Sequence, residues 1–339
     1  MKEREQNRTG LPITKNIEVP TGNIVCCQGS KGELEFVSVG DYGKETNIKA
    51  DFLGLTEEPK PFQHGKMMPL TDKWVITIST QYGCSMRCNF CDVPKVGSGK
   101  NATFNDMTGQ ILSGLMCHPE IEYSNRLNMH FARMGEPTFN PNVLDCAKWL
   151  KEHIDHEYKV HPVVSTMMPK KNIWLKTFIH TWMRIKNRMY KGNAGLQLSI
   201  NSTNENERAE MFSGNALRLA QISKIMGGIT PIGRKITLNF AVADYEIDPQ
   251  ILLDFFSPDH YLVKLTPMHK THTAESNGIK TDGDFTQYYP YAEYEKGLIA
   301  AGYDVIVFLA SEYEDLGRIT CGNAILSGSM PEIPYKIVV

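Results

Sequence analysis

The rhythm of apolar and polar positions changes near Lys73. Before it, short apolar runs such as Ile24–Cys27 and Glu33–Val39 are separated by Gly and charged residues, the pattern of strands joined by tight turns. They predict a small, mostly β accessory region over residues 1–65. Beyond Lys73, apolar runs of strand length alternate with segments whose apolar residues recur at helical spacing. Strands are expected at Trp74–Thr80, Leu127–Ala132, Val160–Thr166, Gly195–Asn201, Lys235–Val242, Tyr261–Thr266 and Asp304–Leu309. Helices are expected near Asp106–Cys117, Val143–His153, Asn172–Lys186, Asn204–Met226, Pro249–Phe256 and Thr286–Ala301. The alternation predicts an α/β core over residues 66–339, a full or partial (β/α) TIM-like barrel. In such a barrel the chemistry gathers where strands end, so residues directly after each strand become the candidates.

Composition narrows the class. Of 339 residues, 41% are hydrophobic and 22% charged, as in ordinary globular proteins. The formal net charge is −2, so any nucleic-acid-binding surface must be local. No run is long and apolar enough to span a membrane. The opening MKEREQNRTGLPITKN lacks the apolar stretch of a signal peptide, and a cytoplasmic location is expected. In that setting the 8 cysteines point to metal or redox chemistry rather than to a disulfide framework.

Three of them are clustered. Gly83-Cys84-Ser85-Met86-Arg87-Cys88-Asn89-Phe90-Cys91 has the spacing C-x3-C-x2-C, directly after an expected strand. Thiolates are the usual ligands of iron–sulfur clusters. Three of them can hold three irons of a [4Fe–4S] cube and leave the fourth open to a small molecule. The alternatives are a zinc site whose fourth ligand lies elsewhere, or buried structural thiols.

This spacing, with an aromatic residue before the third cysteine, resembles the signature of the radical S-adenosylmethionine (SAM) superfamily. Four further segments resemble one branch of it, the Cfr/RlmN family of RNA adenine methyltransferases. They are Met134-Gly135-Glu136-Pro137, Val164-Ser165-Thr166, Leu198-Ser199-Ile200-Asn201 followed by Asn204, Arg208 and Asn215, and Thr320-Cys321-Gly322-Asn323. The resemblance implies a cluster on Cys84, Cys88 and Cys91. It also implies SAM contacts from Gly135, Glu136, Ser165, Ser199, Asn201 and His269. Cys321 would be a methyl carrier serving an adenine carbon in RNA, and a flavodoxin-type or other reductant the electron donor. Glu35, in Leu34-Glu35-Phe36-Val37, stands in a context similar to the family's proton-accepting glutamate; a surface strand glutamate is the alternative.

The sequence also departs from the family. The second catalytic cysteine, seven residues before the cluster, is here Thr77, which cannot form the disulfide that releases product. Cys26, Cys27, Cys117 and Cys146 are the other thiols available. These departures leave room for a related enzyme with a different reaction or substrate, and for a noncatalytic iron–sulfur RNA-binding protein. Finally, Lys159–Asn193 carries Lys159, Lys170, Lys171, Lys176, Arg184, Lys186, Arg188 and Lys191 and no acidic residue, with Trp174, Phe178, Trp182 and Tyr190 interleaved. Such a strip suits phosphates and unstacked bases, or an amphipathic helix with aromatics inward and lysines outward.

Overall fold

The computed structural model describes residues 9–41, 47–60, 67–280 and 287–338. The expected boundary at 65/66 and the first eight residues lie outside this set. The strands are β1 (Ile13–Val19), β2 (Gly22–Gly29), β3 (Gly32–Val39), β4 (Ile48–Lys49), β5 (Trp74–Ile78), β6 (Gln81–Gly83), β7 (Ser98–Asn101), β8 (Leu127–Phe131), β9 (Val160–Thr166), β10 (Gly195–Ser199), β11 (Ile236–Val242), β12 (Tyr261–Pro267), β13 (Asp304–Phe308) and β14 (Lys336–Ile337).

Every strand expected beyond Lys73 forms. β5, β8, β9, β10, β11, β12 and β13 lie side by side in chain order, each pair parallel. Among the described residues the sheet does not close on itself. It ends at β4 beyond β13, and beyond β5 it continues through antiparallel β3, β2, β1 and β14. The N-terminal strands therefore extend the barrel sheet directly.

Alternation decides what each face does. Along β5 and β8, Trp74, Ile76, Ile78, Leu127, Met129 and Phe131 are fully buried, and this face receives the helices. The helix Phe104–Met116 brings Gly114 against Ile76, and Trp182 meets the edge of Phe131. The opposite face is half-buried and more polar, with Thr77, His130, Ser165, Gln197, Asn239 and Lys264. Two expected helices differ in detail. Asn204–Met226 splits into Glu205–Met211 and Leu219–Met226, because Ser213 and Gly214 adopt left-handed backbone between them. The basic strip forms Leu175–Arg184, continued by a π-helical turn at Ile185–Met189. Its Phe178, Trp182 and Tyr190 are core residues, and Lys186 is buried with its ammonium on the Ile232 carbonyl.

Asp106 fastens the N-terminal strands to the barrel. It is the capping-box partner of Thr103 at the start of Phe104–Met116. Its carboxylate accepts from Ser30 N and Oγ (both 2.8 Å), Tyr82 Oη (2.9 Å) and Thr103 N (2.8 Å). Burial pushes the pKa up, but these donors outweigh it and hold it below the usual aspartate value. A depressed folded pKa contributes stability above the unfolded value of about 3.9, and that contribution is lost as pH falls through the folded pKa. Asp106→Asn is therefore expected to cost about 1–3 kcal/mol at neutral pH and to flatten the acid limb of the stability curve. Urea unfolding from pH 7 down to pH 3 measures both, and an unchanged limb would remove Asp106 from it.

Candidate active site and metal centre

The three clustered cysteines occupy a loop clamped at its base by the β6–β7 hairpin. Gly83, at φ +74°, closes the clamp; a Cβ there would lie 2.2 Å from the Gly97 carbonyl oxygen. Cys84 N then donates to that oxygen at 3.1 Å. Neighbouring loops pin the crown: Asn215 Nδ2 donates to Met86 O (3.0 Å), Thr271 Oγ1 to Phe90 O (2.9 Å) and Asn277 Nδ2 to Asn89 O (2.7 Å). Asp92, fully buried, accepts from His272 N, Thr273 N and Oγ1, Lys95 Nζ and Ser329 Oγ. The loop is thus held from four directions before any ligand binds.

These thiols suit a cluster. Cys84 and Cys88 are buried, and Cys91 is half-buried. Burial pushes Cys84 up to about 11, against the N–H groups of Met86 and Gly135 that face it. Burial first, then the proximity of Cys91 and Cys84, pushes Cys88 well above its ordinary value; Cys91 is raised likewise. Thiols gathered this way lose their protons when a metal takes their place, and facing N–H groups stabilise cluster sulfur. Among the described residues no three or more His, Cys, Asp or Glu are gathered closely enough to hold a single ion. Cys88 Sγ also lies 3.0 Å from Met167 Sδ at the end of β9.

Glu136 follows β8 and is fully buried. Gly135 turns it inward at φ +96°, a position where a Cβ would strike Gln81 at 2.5 Å. The carboxylate accepts from Thr138 N (3.1 Å), Thr138 Oγ1 (2.6 Å) and Thr166 Oγ1 (2.7 Å) on Oε1, and from Met167 N (3.0 Å) on Oε2. Burial still leaves its pKa raised. With two lone pairs on each oxygen, Oε2 keeps room for one more donor. Thr166 thus joins the site through Glu136, whereas Ser165 points to the half-buried face, 3.3 Å from Gln197 Oε1. Ser199 lies on that face opposite Asn239. Asn201 is in left-handed backbone, and its Oδ1 accepts from Ala241 N (3.1 Å). Asn204 caps the next helix, and Arg208 is a buried strut to Ile200 O and Leu217 O.

Cys321 comes to the same place from the far end of the chain. Gly322 O accepts from Asp92 N (2.9 Å) and lies 3.8 Å from Cys91 Sγ. Unlike the buried cysteines Cys26, Cys27 and Cys146, Cys321 is exposed. It opens to solvent within a surrounding wall of protein, which raises its pKa, while Lys264 and Arg133 pull it down. Arg133 ties its loop to the barrel, donating to Thr320 O (3.2 Å) and Arg318 O (2.8 Å). Arg133 is held in turn by Glu35, whose Oε1 accepts from Arg133 Nε (2.8 Å) and Nη2 and whose Oε2 accepts from Leu326 N (3.0 Å). Glu35 is therefore not the surface glutamate of the alternative reading; it is fully buried. His269 supports the loop too: its Nδ1 is 3.2 Å from Asp315 Oδ1, which accepts from Thr320 Oγ1 (3.1 Å).

Sequence reasoning missed Asp92 and Arg133. The only signal was position, a charged residue directly after the third cysteine and another directly before Met134.

The chain is similar in sequence and in fold to known proteins. The chain is 34% identical over 107 residues to the dual-specificity RNA methyltransferase RlmN of Campylobacter lari, covering 31% of this chain and 29% of that one. It is 26% identical over 211 residues to the probable dual-specificity RNA methyltransferase RlmN of Deinococcus deserti, covering 60% of this chain and 58% of that one. Over these stretches the chain is similar to RlmN. The matched stretches span less than two thirds of those RlmN relatives. A radical SAM methyltransferase from Sphaerobacter thermophilus shares the fold, with a TM-score of 0.65 at 18% identity over 93% of this chain and 81% of that one. No family model matches. Among the described residues no helix is long and apolar enough to cross a membrane.

Proposed function

We propose that this RlmN-like chain is a radical SAM methyltransferase that modifies an adenine carbon in RNA. The carrying observation is the meeting of the Cys321 loop with the cluster loop: the Gly322 carbonyl, 231 positions away in sequence, lies 3.8 Å from Cys91 Sγ, and the preceding residue is the exposed thiol Cys321. When bound, the cluster and SAM supply methyl transfer and hydrogen-atom abstraction. Cys84, Cys88 and Cys91 hold the cluster. Glu136 offers its remaining lone pair to the SAM ammonium, with Gly135, Ser165, Ser199, Asn201 and His269 as the further SAM-side residues carried over from the resemblance. Cys321 carries the methyl group, and its open side faces the incoming base. Glu35 acts in this reading by positioning: it holds Arg133, and Arg133 holds the Arg318 and Thr320 carbonyls just before the carrier. A proton-accepting role for Glu35 requires that pair to open. The RNA substrate and a flavodoxin-type or other reductant are the partners of this reading.

The test begins with the metal. Anaerobically purified protein is expected to carry about four irons per chain, and replacing Cys84, Cys88 and Cys91 together by Ala is expected to remove them and the brown absorbance. Iron retained in the triple variant would overturn the ligand assignment. With dithionite and SAM, release of 5′-deoxyadenosine marks a radical enzyme, and its absence would leave a noncatalytic iron–sulfur protein. Thr77, in the place of a cysteine, favours a second reading: the same radical chemistry on a different substrate. Nucleoside mass spectrometry of bulk RNA, from a host without its own family member, separates the two.

A further inference from the structure

The loop after β9 carries an apolar pair that the core does not use. Ile173 is 89% exposed and Trp174 66% exposed. Two adjacent large apolar side chains exposed together form a small contiguous patch, the kind of feature that contact surfaces use. The loop is stiff. Lys170 N donates to Asn215 O (2.7 Å) and Leu217 N to Met168 O (2.9 Å). Asn172 Nδ2 donates to Thr138 O (2.7 Å), and Asn172 Oδ1 accepts from Trp174 N (2.9 Å). Trp174 also stands apart from the other aromatics of its segment, which face the core.

The loop reaches the mouth of the site through Lys171, three residues before Trp174. Lys171 lines a cavity of about 540 Å³ together with Cys84, Arg87 and Asn215. Arg87, Lys100, Lys170 and Lys171 are all exposed around the cluster loop. In a chain of net charge −2 this is a local basic rim. A flat aromatic beside cations at a catalytic mouth has one complementary class of ligand: unpaired nucleotides, whose bases stack on the ring and whose phosphates meet the cations.

We infer that Trp174 is a stacking platform that receives an unpaired base flanking the target nucleotide, with Arg87, Lys100, Lys170 and Lys171 holding the adjoining phosphates. The inference rests on the RNA reading above and adds the substrate's form: single-stranded or looped RNA. A paired helix keeps its bases stacked internally and offers none to the ring.

Binding of a short adenine-containing single-stranded RNA to the full chain tests it, followed by intrinsic tryptophan fluorescence and by anisotropy of labelled RNA. Trp74 and Trp182 are fully buried and Trp149 is half-buried, stacked on His153, so the part of the quenching that Trp174→Ala removes reports on Trp174. Trp174→Ala is expected to lose most of the quenching and about tenfold in affinity. Trp174→Phe should keep most of the affinity, and the same sequence closed into a duplex should bind more weakly. Lys171→Gln should shallow the dependence of affinity on salt. An exposed site predicts unchanged thermal melts for all three variants. RNA bound equally well by Trp174→Ala and parent overturns the platform and leaves the RNA reading standing. No RNA binding by the parent overturns both. Capture of a protein, and not RNA, by the parent but not by Trp174→Ala would assign this face to a protein partner and overturn the inference.

Discussion

Cys321→Ala is expected to abolish RNA methylation while leaving fold and iron content intact. The thiol is exposed and contributes nothing to the hydrophobic core, so its removal creates no cavity. Its neighbours keep their contacts, because Gly322 O and Asp92 N meet through backbone. Peptide mapping of the parent, expressed with SAM available, should find one added methyl group on Cys321 and on no other cysteine. The variant should lack it. Methylated RNA produced by Cys321→Ala at the parent rate would end the carrier assignment. Release of product is the companion question. Thr77 lies on the half-buried face of β5, in register with His130 of β8, and its hydroxyl cannot attack a sulfur-linked adduct. Cys26, Cys27 and Cys146 are buried, and burial raises their thiols, Cys27 to about 12. Half-buried Cys117 is pushed up to about 11 and sits over Ser113 O at 3.4 Å. A covalent RNA–protein species is therefore expected to accumulate on denaturing gels, and Thr77→Cys to relieve it. Many turnovers with all four of those cysteines replaced by Ser would sink thiol-based release.

Breaking the buried pair of Glu35 and Arg133 should have the largest effect on stability. Both side chains are buried, and their polar contacts are made by each other and by backbone. Removing one partner strands the other charge away from water, a loss of about 3–5 kcal/mol. Glu35→Ala is expected to lose that much in denaturant unfolding, and also to loosen the segment from Arg318 to Leu326. Hydrogen exchange at Leu326 N, whose acceptor disappears, should quicken. Alkylation of Cys321 should quicken with it, a change that global destabilisation alone would not confine to this thiol. Removing both charges, as Glu35→Leu with Arg133→Met, should recover part of the stability but not the loop's protection. An unchanged alkylation rate in Glu35→Ala would show that the pair does not position the carrier.

Much of this architecture was legible in the chain. Strand and helix periods are local, so the parallel strands stood out wherever a run was short and apolar. The cluster loop was legible because its ligands are three residues of one type within eight positions. What escaped was contact between residues far apart. Nothing near Arg133 announces Glu35, and nothing near Asp92 announces Thr273 or Ser329; only the folded sheet brings β3, β8 and the C-terminal loop together. The aromatic strip shows the same limit. Helical spacing placed Phe178 and Trp182 inward, but Trp174 precedes the helix, and the bonds of Asn172 decide its direction. Asn204–Met226 broke because two residues with left-handed backbone serve Asn215, which is needed to pin Met86.

The bond between Leu326 and Glu35 joins positions 291 apart, and β14 completes the sheet beside β1. On the ribosome this imposes an order of events. A nascent chain that has emerged through β12 already holds Cys84, Cys88, Cys91 and Glu136, yet Cys321 has still to be made. Glu35 and Arg133 can meet each other by then, but their backbone partners at Arg318, Thr320 and Leu326 arrive later. Such distant closure is slow to form. Formation of the loop that carries Cys84, Cys88 and Cys91 and arrival of Cys321 beside it are thereby separate steps, with the second timed by translation itself.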